Sequence, residues 1–249
     1  MFLSFITVTY NAASTLERTL LSVEAQTCGA DIEHLIIDGA STDDTLNIAQ
    51  AYKQRNPDRD ITIVSEPDHG LYDAMNKGLH RAKGDYVCFL NAGDKLHDPH
   101  TVEQIIGRVQ TDAAKGIFAV IYGDTDVVDN DGKFLRKRHL TPPEQLTWRS
   151  FSNGMLVCHQ SFYARRELCP DYNTAYRFSA DVDWCIRVMK AGAQRGLDNY
   201  YTHTVMTDYL DEGMTTRNHR ASLIERFKIM TVHYGFLFTT LKHFTFLFR

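Results

Sequence analysis

Asp94 is the residue on which most of the chemistry legible in this chain turns. It closes the run Gly84-Asp-Tyr-Val-Cys-Phe-Leu-Asn-Ala-Gly-Asp94, in which the apolar and aromatic stretch Tyr86 to Leu90 precedes Asn91, Gly93 and the acid. An unbroken apolar run of that length is the pattern of a strand covered on both faces, so Asn91, Gly93 and Asp94 fall where the strand leaves its sheet. Ligands of open α/β sheets bind at that end of the strands. A carboxylate there can hold a divalent cation, and the cation can hold a diphosphate. Just upstream lies Ser65-Glu-Pro-Asp-His-Gly-Leu-Tyr-Asp-Ala-Met-Asn-Lys-Gly78, a polar, glycine-punctuated stretch that reads as a helix. Asp73 and Asn76, three apart, share one of its faces.

The elements that must carry these residues follow from the pattern of the first half. Phe2 to Thr9, Glu33 to Asp38, Ile61 to Ser65 and Tyr86 to Leu90 read as strands, rich in β-branched and aromatic residues. Between them, 11–26, about 41–56 and 71–82 read as helices, with Ser14 a candidate N-cap and Ser41-Thr-Asp-Asp44 a second cap. Strand and helix alternating four times is the signature of a parallel sheet with helices on both faces. The second half is less regular: a helix over 101–114, a strand over 118–122, a hairpin turn at Asp129-Asn-Asp-Gly132, a short helix over 141–148, and a helix over 181–191 ended by Gly192.

Composition sets outer limits. The 249 residues suffice for one large domain with a sizeable core, and 43% apolar with 23% charged residues is ordinary for a globular protein. A net charge of −4 argues against a general nucleic-acid binder. The five cysteines are odd in number and form no Cys-x-x-Cys pair, which suits a reducing compartment better than a disulfide scaffold or zinc site. The opening Met1-Phe-Leu-Ser-Phe-Ile-Thr-Val-Thr-Tyr10 has no basic leader or cleavage site and reads as a first strand.

Glu66-Pro-Asp-x-Gly-x-Tyr-Asp-Ala-Met-Asn-Lys-Gly78 and Phe89-Leu-Asn-x-Gly-Asp94 resemble the family 2 glycosyltransferases, and most nearly the bacterial branch that builds O-antigens, capsules and colanic acid. The likeness covers roughly residues 2 to 216. It implies a GT-A fold, α/β with a mostly parallel sheet flanked by helices, and an inverting transfer of sugar from a nucleoside-diphosphate donor, often UDP-linked, to a hydroxyl of a polyprenyl-diphosphate-linked glycan. A pyrophosphorylase on a related fold would need a glycine-rich basic loop after the first strand, where this chain has Thr9-Tyr-Asn-Ala-Ala13. A non-catalytic nucleotide-sugar binder is the other alternative.

Sugar transfer makes three demands, each with candidates. For gripping base and ribose these are Thr9, Tyr10, Asn11 and Asp38, at the ends of the first two strands. A carboxylate accepts from a ring N–H or a ribose hydroxyl, and the resemblance implies a base contact for Asp38; Asp38 could also simply open its turn. For neutralising the diphosphate the candidate is Asp94, with Mg²⁺ or Mn²⁺. The family usually carries Asp-x-Asp there, whereas this chain has Asn91-Ala-Gly-Asp94, so a single acid remains, which alternatively caps the next turn. Asn91 can bond ribose, and Lys77 on the preceding helix can add charge or be merely solvated. For removing the acceptor proton, the resemblance points to Asp181 in Ser179-Ala-Asp-Val-Asp-Trp184, with Asp183 the runner-up. It also implies donor-site positions for Asp73 and Asn76, a site-facing His159-Gln160, and a loop Gly213-Met-Thr-Thr216 over the diphosphate. His203, Arg217 and His219 are further phosphate-contact candidates.

The division expected is a catalytic domain over 1–221 and an amphipathic, aromatic-rich helical tail over 222–249. Ile224, Phe227, Met230, Tyr234, Leu237, Leu241, Phe244 and Phe248 recur there at helical spacing, flanked by Arg226, Lys228, Lys242 and Arg249. The uncharged run 229–241 is too short to cross a bilayer, which needs roughly 20 residues, and the composition fits a helix in the membrane interface or one packed on the body or on a second copy in a homo-oligomer. A cytoplasmic protein, peripheral on the inner face of the cell membrane, is the expectation, and removing 222–249 is expected to spare donor hydrolysis.

Overall fold

The computed structural model describes residues 2–111, 116–211 and 219–246. Its first half is four parallel strands, β1 (Leu3–Thr9), β2 (Ile32–Asp38), β3 (Asp60–Ser65) and β4 (Tyr86–Phe89), in the order β3-β2-β1-β4. The crossovers are α1 (Leu16–Glu24), α2 (Thr45–Arg55) and α3 (Leu71–Arg81). Every residue of β1 and β2 is buried. Alternation along β2 divides the faces: Ile36 joins Leu16, Leu20, Ala49 and Tyr52 under α1 and α2, while Leu35 and Ile37 join Ile6, Met75 and Leu79 under α3. Gly78 lets α3 lie close to the sheet, since a Cβ there would come within 2.4 Å of the Ile6 side chain.

The second half completes a mixed sheet. β8 (Phe162–Arg165) runs antiparallel to both β4 and β6 (Val120–Val128), β6 runs parallel to β9 (Asn199–Leu210), and β9 is antiparallel to β5 (Lys95–Leu96). β7 (Phe134–Lys137) returns on β6 through the expected turn, where Gly132 takes φ 80°. The sheet is flanked by α4 (Thr101–Thr111) and by α5 (Ala180–Gln194), whose Trp184, Cys185 and Val188 are buried in the α3-side core. The architecture is the α/β, GT-A-like one that was expected.

Three expectations about elements need correcting. Residues 141–147 are not helical; Pro142 and Pro143 withhold backbone donors, and the helical turn comes later, as a 3₁₀ segment Trp148–Asn153 opened by a Thr147–Ser150 capping box. α5 runs past Gly192 to Gln194. Gly192 is instead a packing glycine, whose Cβ would stand 2.3 Å from that of Ala119, and Gly196 at φ 69° takes the left-handed position after the helix. α1 starts at Leu16 behind Thr15, with no cap from Ser14.

The C-terminal segment is two helices, α6 (His219–Tyr234) and α7 (Phe236–Phe246), parted at Gly235 with φ 87°. The boundary at 222 therefore falls inside a continuous helix that is built into the body. Ile229 and Met230 are buried, His233 Nε2 pairs with Asp183 at 2.8 Å, and Tyr234 donates to the Trp148 carbonyl at 2.5 Å. Glu225 accepts the backbone N–H groups of Arg177, Phe178 and Ser179 at 2.7–3.0 Å. Those three amides lead into α5, so removing 222–249 would unclamp the helix that carries Asp181. α7 is different: Leu237 is 78% and Leu241 69% exposed, beside Phe236 and Phe238. No helix among the described residues is long and apolar enough to cross a membrane.

Candidate active site

The carboxyl ends of β1, β2 and β3 meet around Asp38. Its buried carboxylate accepts from Thr9 Oγ1 at 3.2 Å, from the Ser41 amide at 3.1 Å, from the Ser41 hydroxyl, and from Ser65 Oγ at 2.6 Å. Asp38 thus ties three strand ends together before any ligand arrives. Asn11, held in the left-handed region at φ 48°, crosses to the same loop and accepts from the Thr42 amide at 2.9 Å. Tyr10 stands 66% exposed beside it, an unused aromatic face. Gly39 lies between the Tyr10 ring and the Asp68 carboxylate, which a Cβ there would approach to 2.3 Å. Asp68 brings a second acid to this cleft; it stands in the quoted motif with no role given it in advance.

Asp94 sits as the strand pattern placed it, just past β4, on a turn in which Gly93 takes φ 105°. Thr19 of α1 fixes this turn, accepting from the Gly93 amide at 2.9 Å and donating to the Asp94 carbonyl at 2.6 Å. The Asp94 carboxylate is buried and receives the Leu210 amide at 3.0 Å and Gln160 Nε2 at 2.6 Å. Burial pushes this carboxyl up to about 7, against the pull of those two donors and of the Arg18 charge. Nearby, Asn91 Oδ1 is buried with no hydrogen-bond partner, and so is one guanidinium nitrogen of Arg18.

An oxygen-only donor set with one acid suits a small hard cation that keeps waters and takes its remaining ligands from phosphate. Asp94, with one lone pair left on each oxygen, and the orphaned Asn91 Oδ1 would hold such a cation, with Arg18 as an additional charge for a diphosphate. A separation of 111 and 112 residues in sequence explains why Arg18 was not foreseen: its guanidinium is placed by the carbonyls of Asp129 and Asn130. A second metal-capable group, His97, Asp126 and Asp208, lies at the β5–β9–β6 junction. There both Asp208 oxygens are already engaged at 2.7 Å, by His97 and by the Lys95 ammonium.

Asp181 lies in the first turn of α5, and Tyr72 of α3 directs its hydroxyl to Asp181 Oδ1 at 3.4 Å. Behind it is a stack of rings: Tyr72 on Tyr172 at 5.5 Å, Tyr172 on Trp184 at 4.9 Å, with Phe89 edge-on to both Tyr172 and Trp184. His159 belongs to this stack. It lies flat on Phe89 at 5.3 Å, exchanges a hydrogen bond with Tyr172 at 2.7 Å, and burial lowers its basicity. Asn76 clamps the Tyr172 backbone, accepting from its amide at 2.7 Å and donating to its carbonyl at 3.1 Å. Asn76 and His159 thus position the wall beside Asp181, and their polar atoms are spent on protein partners. Asp73 accepts the His69 amide at 3.0 Å, and Lys77 spans Pro67, Glu66 and Asp73, so both brace the loop entering α3. Gln160 alone of the His-Gln pair reaches Asp94.

Asp183 is turned away from Asp181 and into the body, with Arg187 at 2.7 Å and His233 at 2.8 Å. Burial disfavours its charge, but the bonds and charges of His233 and Arg187 outweigh that and hold the carboxyl below the usual range. Its stabilisation is present above the ordinary aspartate pKa of about 3.9 and is lost as pH falls through the depressed folded value. Asp183→Asn is expected to destabilise the protein by about 1–3 kcal/mol at pH 7, with the difference shrinking below about pH 4. Thermal melts of both proteins across pH check this, and an unchanged gap at low pH would remove the ion-pair explanation.

Tyr209 near the end of β9 was not singled out from the sequence. Its half-buried phenol is raised in pKa by desolvation and then by the charges of Asp94, Cys158 and Asp181, with Arg138 opposing. Arg217 and Gly213-Met-Thr-Thr216 lie outside the described residues, as does the side chain of His219. His203 is at a bulge of β9, its ring tilted 36° against that of Tyr201 at 4.1 Å and facing Glu144.

Comparisons with known proteins bear on the family and the fold. The profile described as Glycosyl transferase family 2 matches residues 4–172. A PGL/p-HBAD biosynthesis glycosyltransferase of Mycobacterium bovis is 33% identical over 213 residues, covering 84% of this chain and 77% of that one. The crystal structure of S. aureus TarS 1–349 in complex with UDP-GlcNAc shares the fold with TM-score 0.71 at 16% identity, over 93% of this chain and 65% of that one, so this chain spans less than two thirds of its length. The mannosyltransferase PcManGT of Pyrobaculum calidifontis, in complex with GDP-Man and Mn²⁺, aligns with TM-score 0.59 at 17% identity over 96% of this chain and 73% of that one.

Proposed function

The chain belongs to glycosyl transferase family 2, and we propose that it is an inverting enzyme that moves a sugar from a UDP-linked donor to a hydroxyl of a lipid-linked glycan. The observation that carries the reading is the placement of two acids at element ends: Asp94 on the turn just past β4, and Asp181 in the first turn of α5 with the Tyr72 hydroxyl on its Oδ1. One acid placed for a cation and another placed for a proton are what displacement at an anomeric carbon requires. The acceptor oxygen bonds to C1 as the C1–phosphate bond breaks. The hydroxyl proton passes to Asp181, and the electron pair leaves on the diphosphate. A single base opposite the leaving group means that the anomeric centre inverts.

The chain's own residues divide the work. Tyr72 donates to one Asp181 oxygen, which leaves the other for the acceptor hydroxyl. Asp94 and Asn91 would hold Mg²⁺ or Mn²⁺, which would offset charge on the leaving diphosphate. Arg18 adds fixed positive charge nearby. Tyr10 offers a face on which a base can stack, with Thr9, Asn11, Asp38 and Asp68 shaping that cleft. The UDP-GlcNAc complex of the structural neighbour supports a UDP-sugar, and the Mn²⁺ complex of the other supports a divalent cation. A screen of nucleotide sugars read by released nucleoside diphosphate tests the reading; no release from any donor would favour a non-catalytic nucleotide-sugar binder.

We place the acceptor at the inner face of the cell membrane, in assembly of a cell-surface polysaccharide of the O-antigen, capsule or colanic-acid kind. α7 supports this: Phe236, Leu237, Phe238 and Leu241 leave an apolar surface exposed beside Lys242. Such a surface enters the headgroup region while its cations meet anionic lipid. The doubly substituted protein Leu237→Glu, Leu241→Glu is expected to lose flotation with anionic liposomes at low salt while keeping donor hydrolysis. Equal flotation of the two proteins would assign α7 to another partner.

A further inference from the structure

α5 begins without a cap of its own. Ser179 stands at the N-cap position, but its side chain bonds no amide of the helix, and its hydroxyl turns instead to Ser222 Oγ of α6 at 3.0 Å. The chain entering the helix is held from outside. One carboxylate, Glu225 of α6, accepts the Arg177 amide on Oε1 at 2.8 Å and the Phe178 and Ser179 amides on Oε2 at 2.7 and 3.0 Å. Asp181 follows two residues later. We propose that Glu225 is a positioning residue for the reaction: it fixes where α5 begins, and so where the Asp181 carboxylate stands. The inference rests on Asp181 being the base and adds the group that aims it.

Hydrogen bonds from amides to an ionised carboxylate are roughly twice as strong as neutral ones. With both oxygens of Glu225 engaged, three successive peptide units are fixed in orientation as well as in place. Among the described residues no lysine or arginine pairs with Glu225, so its charge acts on this stretch of backbone. The other restraints on Asp181 are weaker or elsewhere. The Tyr72 hydroxyl is 3.4 Å from Asp181 Oδ1, long for an O–H···O bond, which is usually about 2.5–3.0 Å. The second tie between α5 and α6, from Asp183 to His233, lies on the flank turned away from Asp181.

Aim matters because a base acts only within hydrogen-bond reach of the proton it takes. A misplacement of about 1 Å at such a group can cost 10²-fold in rate. Glu225→Gln keeps the shape and turns one acceptor oxygen into an N–H donor. At least one of the three amides then faces a donor, and the turn before Asp181 is released.

In Glu225→Gln, amide hydrogen exchange over residues 177–179 is expected to quicken. With the nucleotide sugar that releases most nucleoside diphosphate, kcat is expected to fall roughly 10- to 100-fold while the donor KM stays unchanged. In the Asp181→Asn background the same substitution is expected to cost less than about twofold, since no base is left to aim. Asp183→Asn is the control for general loosening of α5, expected to lower the melting temperature with kcat little changed. Glu225→Asp, one methylene shorter, takes the place of Glu225→Gln if the latter does not fold, with the same expectations. Unchanged exchange, native-like kcat of Glu225→Gln beside a slowed Asp181→Asn, a full multiplicative loss in the double variant, or an equal fall in Asp183→Asn would each overturn the inference and leave the base reading standing. Native-like turnover of Asp181→Asn would sink the base reading, and this inference with it.

Discussion

Asp181→Asn is expected to lower the transfer rate by roughly 10²–10⁴-fold, the usual worth of a positioned general base, with donor affinity close to that of the native protein. Asparagine keeps the shape and can still accept from Tyr72, so the ring stack behind it has no reason to move. What it loses is the capacity to take a proton from the acceptor hydroxyl. The fall should therefore appear in kcat, with the donor KM little changed. The contrast with Asp183 is diagnostic: that residue's carboxylate is paired with Arg187 and His233, so its loss should register in the melting temperature first. Activity of Asp181→Asn within a few-fold of native would move the base elsewhere.

Asp94→Asn is expected to abolish cation-dependent activity and, in the metal-free protein, to raise stability above neutral pH. Both effects come from the same burial. Desolvation has pushed the carboxyl up to about 7, whereas in the unfolded chain it titrates near about 3.9. Between those values the folded protein holds a proton that the unfolded chain has released, so stability falls as pH rises across that window, and above it the full penalty remains. The amide carries no charge to bury, and the Gln160 amide can turn over to accept from it while the Leu210 N–H bond is kept. The melting temperature of the variant should exceed the native value at pH 8 and match it near pH 4. Such a gain on removing a site residue is the mark of a group placed for function at a cost in stability. Native-like activity of the variant in excess chelator would exclude Asp94 as a cation ligand.

The parallel half of the sheet was legible because β1, β2 and β4 are buried on both faces and write themselves as apolar runs; all three fall within a residue or two of where those runs lie. The mixed half was not. β8 and β9 are short or bulged, and partners such as Val120 and Asn199 are brought together only by long-range pairing. The candidate site divides in the same way. Asp38, Asp94 and Asp181 stand at element ends that pattern and family likeness both mark. Arg18, Glu225 and Tyr209 act across the fold, and nothing in their local sequence announces it. Asn76, Lys77 and His159 show the converse, since their motif positions are clear while their polar atoms bind protein partners that the chain order does not reveal. The tail misled through its period: Met230 and Tyr234 face the body while Leu237 and Leu241 face outward, because Gly235 breaks the helix between them.

The most direct test of the central claim is the anomeric configuration of the sugar at the moment it leaves the nucleotide. With a UDP-α-sugar as donor and water as the slow acceptor, early-time proton NMR, before mutarotation, is expected to show the β anomer appearing together with UDP, with the reaction stopping when a chelator is added. Appearance of the α anomer first, or release that chelator leaves untouched, would contradict a cation-assisted displacement with Asp181 as base.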